Sequence, residues 1–324
     1  MKRPVHPWAW LIGATLVVLA ARWLVHFPWR DTGQALVRAS LLMLGLAAAV
    51  NLSSFLFKGT AWHLLLASVA PNRWKTAMSA TLVGAAVNNF SVSVSGEAAR
   101  VGVMCQRDGV PLRAAVSSVA WSRATEGIGL ALLIVTGTLA MPLPAWVRPL
   151  RTAMLVALLV LGMATLAGGW NRVAGLLPER VRVVFDDVAT IGARGLRVPV
   201  LLGLGGWLAE WATYHLSMVA VCGAVPLAAS FLALVAANIG GIPRLTPGNF
   251  GIMQAAFVVG LAPFGIAAER AVAAGLASQA IQVLPVLLGG AVAMGSSGRA
   301  APPPTSRPVT ARLRGAVEEE STPA

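Results

Sequence analysis

Apolar runs of about 20 residues recur along this chain, the length an α-helix needs to cross the hydrocarbon core of a bilayer. Full spans are expected at about residues 8–27, 35–57, 114–140, 152–170, 200–222 and 271–294. Soluble domains carry roughly 25% charged residues because they need solvated faces. Here 11% of residues are charged and 57% hydrophobic, with a mean hydropathy of +0.74, which excludes an ordinary soluble domain. The chain reads as an all-α polytopic membrane helix bundle.

Its charge follows from that reading. The 25 Lys and Arg against 12 Asp and Glu leave +13, an excess that would suggest nucleic acid on a soluble chain. Basic residues gather on the cytoplasmic loops of membrane proteins, and no basic and aromatic stripe on a soluble face remains for RNA or DNA. With the N-terminus inside, sixteen Lys and Arg fall on the cytoplasmic side, five outside and four within or near apolar segments. This bias supports two cytoplasmic termini in a bacterial inner membrane. The first helix lacks a clear cleavage site and is read as retained. Cys105 and Cys222 fall on opposite sides of the membrane, so neither a disulfide nor a cysteine metal site is expected.

Four apolar stretches are too short or too broken to cross. Residues 64–69, between Trp62 and Trp74, read as an interfacial elbow. Residues 76–89 are interrupted by the polar run 91–96, and residues 228–242 and 250–263 flank the break 243–248. In the expected orientation the first hairpin enters from the cytoplasm and the second from outside. Two re-entrant broken-helix hairpins in inverted-topology halves are therefore expected, a pattern that points to a midplane substrate site in transporters. Residues 1–298 form one membrane domain. It contains a charged cytoplasmic connector at 171–199 and is followed by a disordered tail at 299–324, which has too few apolar residues to fold.

The breaks hold the polar residues of interest. The first contains Asn88 and Asn89, then Ser95 or Gly96 as cap of a helix opened by Glu97, with Arg100 three residues on. Either Glu97 and Arg100 form a local ion pair, or Arg100 meets a lipid phosphate. The second break runs from Asn238 through Arg244 to Thr246, a cap with Pro247 at the first helical position. Such a helix start is an anion site, to which Arg244 adds a full charge; the alternative is a tight turn whose glycines permit close packing. Within the spans, Arg123 and Glu126 lie three apart, and Glu210 sits about 15 Å into the fifth span. Arg123 pairs with Glu126 or Glu210 and locks the bundle, or these charges line a headgroup cavity. No zinc-protease, nucleophile-elbow, P-loop or dinucleotide pattern occurs. Catalysis, a cofactor and a metal are accordingly not expected.

Asn89 ahead of Gly96-Glu97-Ala98-Ala99-Arg100, Arg123 with Glu126, and the segment from Pro243 to Gly251 together resemble the flippase-like family named for the transmembrane region of bacterial lysylphosphatidylglycerol synthases. That region is the membrane half of the multiple peptide resistance factor, and the likeness covers most of residues 35–295. The chain departs from the family pattern at four places. Ser93 stands for a proline, Ser122 for an acid before the span arginine, Gln254 for the acid after the second motif, and Gln279 for an arginine of the last span. A glutamine pair would keep a neutral hydrogen-bonded contact. The resemblance implies lipid translocation without lipid synthesis, since the aminoacyl-transferring domain has no counterpart in this sequence.

The expected function is an integral membrane transporter that moves an anionic or phosphate-bearing lipid between leaflets. Arg100, Arg123 and Arg244 would meet the headgroup, balanced by Glu97, Glu126 and Glu210 when the site is empty. Asn88, Asn89, Asn238, Thr246, Gln254 and Gln279 would offer neutral hydrogen bonds. A lipid-modifying synthase or glycosyltransferase is a further expected partner, nucleic acid is not, and oligomer formation stays open. The rival readings are an integral enzyme of a lipid or glycolipid pathway with Glu97 or Glu210 as base, and a scaffold subunit of a synthase or glycosyltransferase.

Overall fold

The computed structural model describes Arg22 and residues 25–91, 95–166, 192–242 and 246–295. Among these residues there is no strand. Ten helices follow one another: α1 (Trp29–Val37), α2 (Leu41–Ala67), α3 (Trp74–Phe90), α4 (Ser95–Asp108), α5 (Leu112–Ala140), α6 (Arg148–Leu166), α7 (Gly192–Cys222), α8 (Leu227–Gly241), α9 (Ile252–Leu261) and α10 (Ala268–Gly295). Most of the expected span at 8–27, most of the connector, the tail, Ser93 and Arg244 lie outside the described residues.

Helices α2, α5 and α10 are long and apolar enough to cross a bilayer, as is the segment Ala145–Met163 that includes most of α6. Helix α7 reaches that threshold together with α8, to which it is joined by a 120° bend. At 1.5 Å per residue α2 is about 40 Å long, whereas the ten residues of α9 cover only about 15 Å, half a bilayer core. The shape of the polypeptide is therefore a polytopic helical bundle with two helical hairpins, α3–α4 and α8–α9, built into it.

Three boundaries differ from the sequence expectation. The span expected from residue 35 starts at Leu41, because the chain breaks after Val37 and Ser40 accepts a hydrogen bond from the Met43 amide, which starts a new helix. The elbow expected at 64–69 does not exist: α2 continues to Ala67, with Trp62, Leu65 and Leu66 buried. Trp62 is drawn inward because its indole donates to the Ser118 hydroxyl on α5 at 3.1 Å, so it is no headgroup anchor. Helix α7 begins eight residues before the expected residue 200 and runs through Pro199.

Two apolar cores hold the bundle. One joins Leu133 and Ile134 of α5, Tyr214 and Met218 of α7, Phe231 and Leu234 of α8, and Phe257 and Leu261 of α9. The other joins Trp62 and Leu66 of α2, Ala77 and Ala80 of α3, and Val101 and Met104 of α4. Lipid tails are as apolar as leucine, so close backbone approach matters more than burial from water, and small residues sit at the contacts. A Cβ on Gly129 of α5 would stand 2.7 Å from the Leu204 amide of α7, and one on Gly260 of α9 would stand 2.7 Å from the Ala229 carbonyl of α8.

The open ends of the first hairpin are tied down by polar contacts. Asp108, at the end of α4, accepts from the Arg73 amide at 2.7 Å and from the Thr76 hydroxyl at 2.9 Å, so its carboxylate caps the start of α3. Arg107 beside it donates to the Ser79 hydroxyl and to the Ala293 carbonyl of α10. The mouth of the hairpin is thus fixed, and its tip reaches into the bundle.

Candidate functional site

The tips of the two hairpins meet. The turn at residues 247–249 packs against α3, and Gly248 lies so close to Asn89 that a Cβ would stand 3.2 Å from the Asn89 carbonyl. Gly248, Asn249 and Gly251 all have positive φ, between 56° and 84°, and residues in that region end regular α-helix. The helix expected to start at Thr246 therefore starts at Ile252. Thr246 does not cap it; its hydroxyl donates to the Phe250 carbonyl at 2.7 Å and closes the turn. The first amide ahead of α9, that of Gly251, is satisfied by Gln254 instead, whose Oε1 accepts at 2.8 Å. Across the site, the start of α4 is held in a similar way by its own hairpin partner, since Asn88 Oδ1 accepts from the Gly96 amide at 3.1 Å.

Between the tips lies a cavity of about 570 Å³. Its polar wall is made by Asn88, Asn89, Arg123, Asn238, Thr246, Asn249, Gln279 and Gln282. Six of these come from the residues that sequence reasoning singled out; Asn249 and Gln282 were missed. Asn249 sits in the same turn as Thr246, and Gln282 follows Gln279 by three residues on one face of α10. A second space of about 80 Å³, lined by Glu210, Tyr214, Ile252 and five residues of the first, adjoins it.

Charged side chains form a layer around this cavity. Arg123 reaches the wall and donates both to Glu126 at 2.9 Å and to Glu97 of α4. Glu126 takes a further bond from the Ser122 hydroxyl at 3.1 Å, and its carbonyl accepts from the Trp207 indole at 2.8 Å. Ser122 thus supports the acid with a neutral hydroxyl. Glu210 does not pair with Arg123; it pairs with Lys58 at 2.8 Å. Lys58 is one of the sixteen basic residues assigned to the cytoplasmic side, but α2 continues past it, and its ammonium lies 5.2 Å from the centre of the Trp207 ring.

Arg100 and Glu97 form no local ion pair. Glu97 reaches Arg123, and the Arg100 guanidinium carbon lies over the Trp62 ring, 4.2 Å from its centre. Arg100 is 4% exposed, and its Nε and Nη2 have no hydrogen-bond partner among the described residues. It stands behind the cavity wall rather than on it. Gly84 makes that placement possible, since a Cβ there would overlap the Arg100 Cγ at 2.3 Å. Two buried N–H groups without acceptors are costly, and the guanidinium is close enough to Glu126, Glu97 and Arg123 to feel their charges.

On the other wall Gln254 and Gln279 meet at 2.7 Å, with Gln254 donating to Gln279, which in turn donates to the Gly248 carbonyl at 2.7 Å. This neutral contact, anticipated from two substitutions in the sequence, joins α9, α10 and the turn of the second hairpin. It separates the polar cavity from an apolar groove of about 540 Å³ lined by Trp29, Phe250, Val258, Val259 and Leu276.

No curated protein compared with the chain is significantly similar to it. A family model does match, that of the lysylphosphatidylglycerol synthase TM region, over residues 10–290. This span contains all the described helices except the last few residues of α10, together with both hairpins and the cavity between them. The chain is a multi-pass membrane protein and belongs to the family of the lysylphosphatidylglycerol synthase TM region.

Proposed function

We propose that this chain carries a phosphate-bearing lipid between the leaflets of a bacterial inner membrane, with both termini in the cytoplasm, and that it does so without catalysis. The observation that carries the reading is the cavity of about 570 Å³ at the meeting point of the two hairpin tips, polar inside an apolar bundle and with an arginine on its wall. Ionisable groups in such surroundings are expensive and mark substrate paths. Arg123 binds the headgroup phosphate, because a guanidinium held by two carboxylates still has N–H groups to offer. Arg244 lies in sequence between Ile242 and Thr246, both on the cavity wall, and supplies a second charge. The hairpins act as re-entrant elements of two inverted halves, and rocking of one half against the other exposes the cavity to each side in turn. The acyl chains stay in lipid.

The test uses the purified chain in vesicles with a headgroup-labelled anionic phospholipid and an impermeant quencher. Protein-dependent loss of the protected inner-leaflet signal is expected. Arg244→Ala and Arg123→Gln should abolish it while the size-exclusion profile is unchanged. Wild-type rates in both variants would count against the anion site. Chemical turnover of the labelled lipid without exchange would favour the enzyme reading, and fixed-stoichiometry co-purification with a synthase or glycosyltransferase without exchange would favour the scaffold.

A further inference from the structure

The cavity is rich in carboxamides: Asn88, Asn89, Asn238, Asn249, Gln279 and Gln282 all line it. Each carboxamide has a carbonyl that accepts and an NH₂ that donates twice, and the protein uses only part of that capacity. Asn88 Oδ1 is taken by the Gly96 amide, which leaves its NH₂. Asn238 gives one N–H to the Leu234 carbonyl and keeps its own oxygen. Gln279 is used at both ends, and Gln282 donates to the Ser278 hydroxyl. The side chains of Asn89 and Asn249 make no hydrogen bond among the described residues. Donors and acceptors therefore remain side by side on one wall.

Among the described residues the charges around this wall balance, three cations to three carboxylates: Arg123 lies between Glu97 and Glu126, Lys58 holds Glu210, and Arg100 behind the wall supplies the third positive charge near Glu126 and Glu97. Among the described residues each of these three carboxylates touches a cation. An ammonium entering the cavity would lose its water and find no acid to receive it, which is costly. A bare phosphate only accepts and would leave the carboxamide oxygens unbonded. A hydroxyl both donates and accepts, and suits such a wall.

We propose that the headgroup recognised here is a phosphate bearing a neutral polyhydroxy group, glycerol or a sugar, and not an aminoacylated one. The phosphate sits on Arg123 and the hydroxyls on Asn89, Asn249 and their neighbours. At about 30 Å³ for each water-sized group the cavity holds about 19 such groups, enough for a phosphate with glycerol or one sugar ring. This inference rests on the transport reading for its lipid, but it concerns which headgroup binds.

The experiment loads the full chain into phosphatidylethanolamine vesicles doped with one test lipid, extracts it, and counts retained lipid by native mass spectrometry. The test lipids have matched acyl chains: phosphatidylglycerol, phosphatidylmethanol, lysyl-phosphatidylglycerol and a hexosyl-phosphate lipid. Phosphatidylglycerol and phosphatidylmethanol carry the same charge and differ in hydroxyls. Retention of the two hydroxylated anions should exceed that of phosphatidylmethanol by about fivefold to tenfold, the worth of one or two neutral hydrogen bonds. The double variant Asn89→Ala/Asn249→Gly should erase that preference, so that phosphatidylglycerol is retained no more than phosphatidylmethanol; glycine keeps the positive φ at position 249. Equal retention of phosphatidylglycerol and phosphatidylmethanol, preference for the lysyl lipid, or a preference that survives the double variant would each overturn the inference while leaving transport of an anionic lipid standing. Retention of no anion above phosphatidylethanolamine would overturn both.

Discussion

Replacing Gln254 by Glu and Gln279 by Arg tests how the second hairpin is fastened. In the structure Gln254 Oε1 accepts from the Gly251 amide, and Gln279 Nε2 donates to the Gly248 carbonyl, both outward bonds that a carboxylate and a guanidinium would keep. Only the inner bond reverses direction, with residue 279 donating to 254 across the present 2.7 Å contact. Both side chains are at least nine-tenths buried. Gln254→Glu alone places a carboxylate there without a counter-charge, and Gln279→Arg alone places a cation. Removing one partner of a buried pair costs about 3–5 kcal/mol, so each single variant should lose about 3 kcal/mol. The double variant should return to within about 1 kcal/mol of the parent, a coupling of several kcal/mol. Helicity followed through a denaturing-detergent titration of all four proteins measures the cycle. Additive effects within about 0.5 kcal/mol would refute the geometry, because side chains that do not touch cannot couple so strongly.

Three further outcomes follow from the same contacts. Lys58→Met leaves Glu210 without its cation at a site where both side chains are mostly buried. It should destabilise by about 3 kcal/mol, and adding Glu210→Gln should restore part of the loss in the same titration. Gly84→Ala should cost about 1–3 kcal/mol or more by overpacking, since its Cβ would lie 2.3 Å from the Arg100 Cγ and 2.7 Å from the Gly96 carbonyl. Gly45→Ala, where nothing lies within 4 Å, should be neutral or stabilising by up to about 1 kcal/mol; equal behaviour of the two would refute the close hairpin contact. Asp108→Ala removes the acceptor for the Arg73 amide and the Thr76 hydroxyl, and should cost about 1–2 kcal/mol. It should also speed hydrogen exchange at the first turn of α3 while leaving α8 unchanged.

Helix class and the positions of both breaks were legible because each depends on local sequence. Long apolar runs demand helices in lipid, and Pro243 to Gly251 or Ser91 to Gly96 interrupt them whatever surrounds them. The site was partly legible for the same reason: polar residues at those breaks have to face something other than lipid. Pairing was not. Arg123 with Glu126 was open to local spacing, but Glu97 with Arg123 and Lys58 with Glu210 join residues 26 and 152 positions apart. The elbow at 64–69 failed because tryptophan serves equally as an interface anchor and as a buried donor, and Ser118 on a distant helix decided between them.

By itself, then, the amino-acid order settles that the chain is helical, that it belongs in a membrane, and where its helices cannot continue. These are matters of solvent and backbone that each segment meets alone. Only the tertiary structure decides that the two hairpin tips touch, that Arg100 lies behind the cavity on Trp62 while Arg123 faces into it, and that Gln254 and Gln279 close the opposite wall. The reason is that a buried charge or amide is stable only beside its partner, and which partner is in reach depends on how helices far apart in sequence come together.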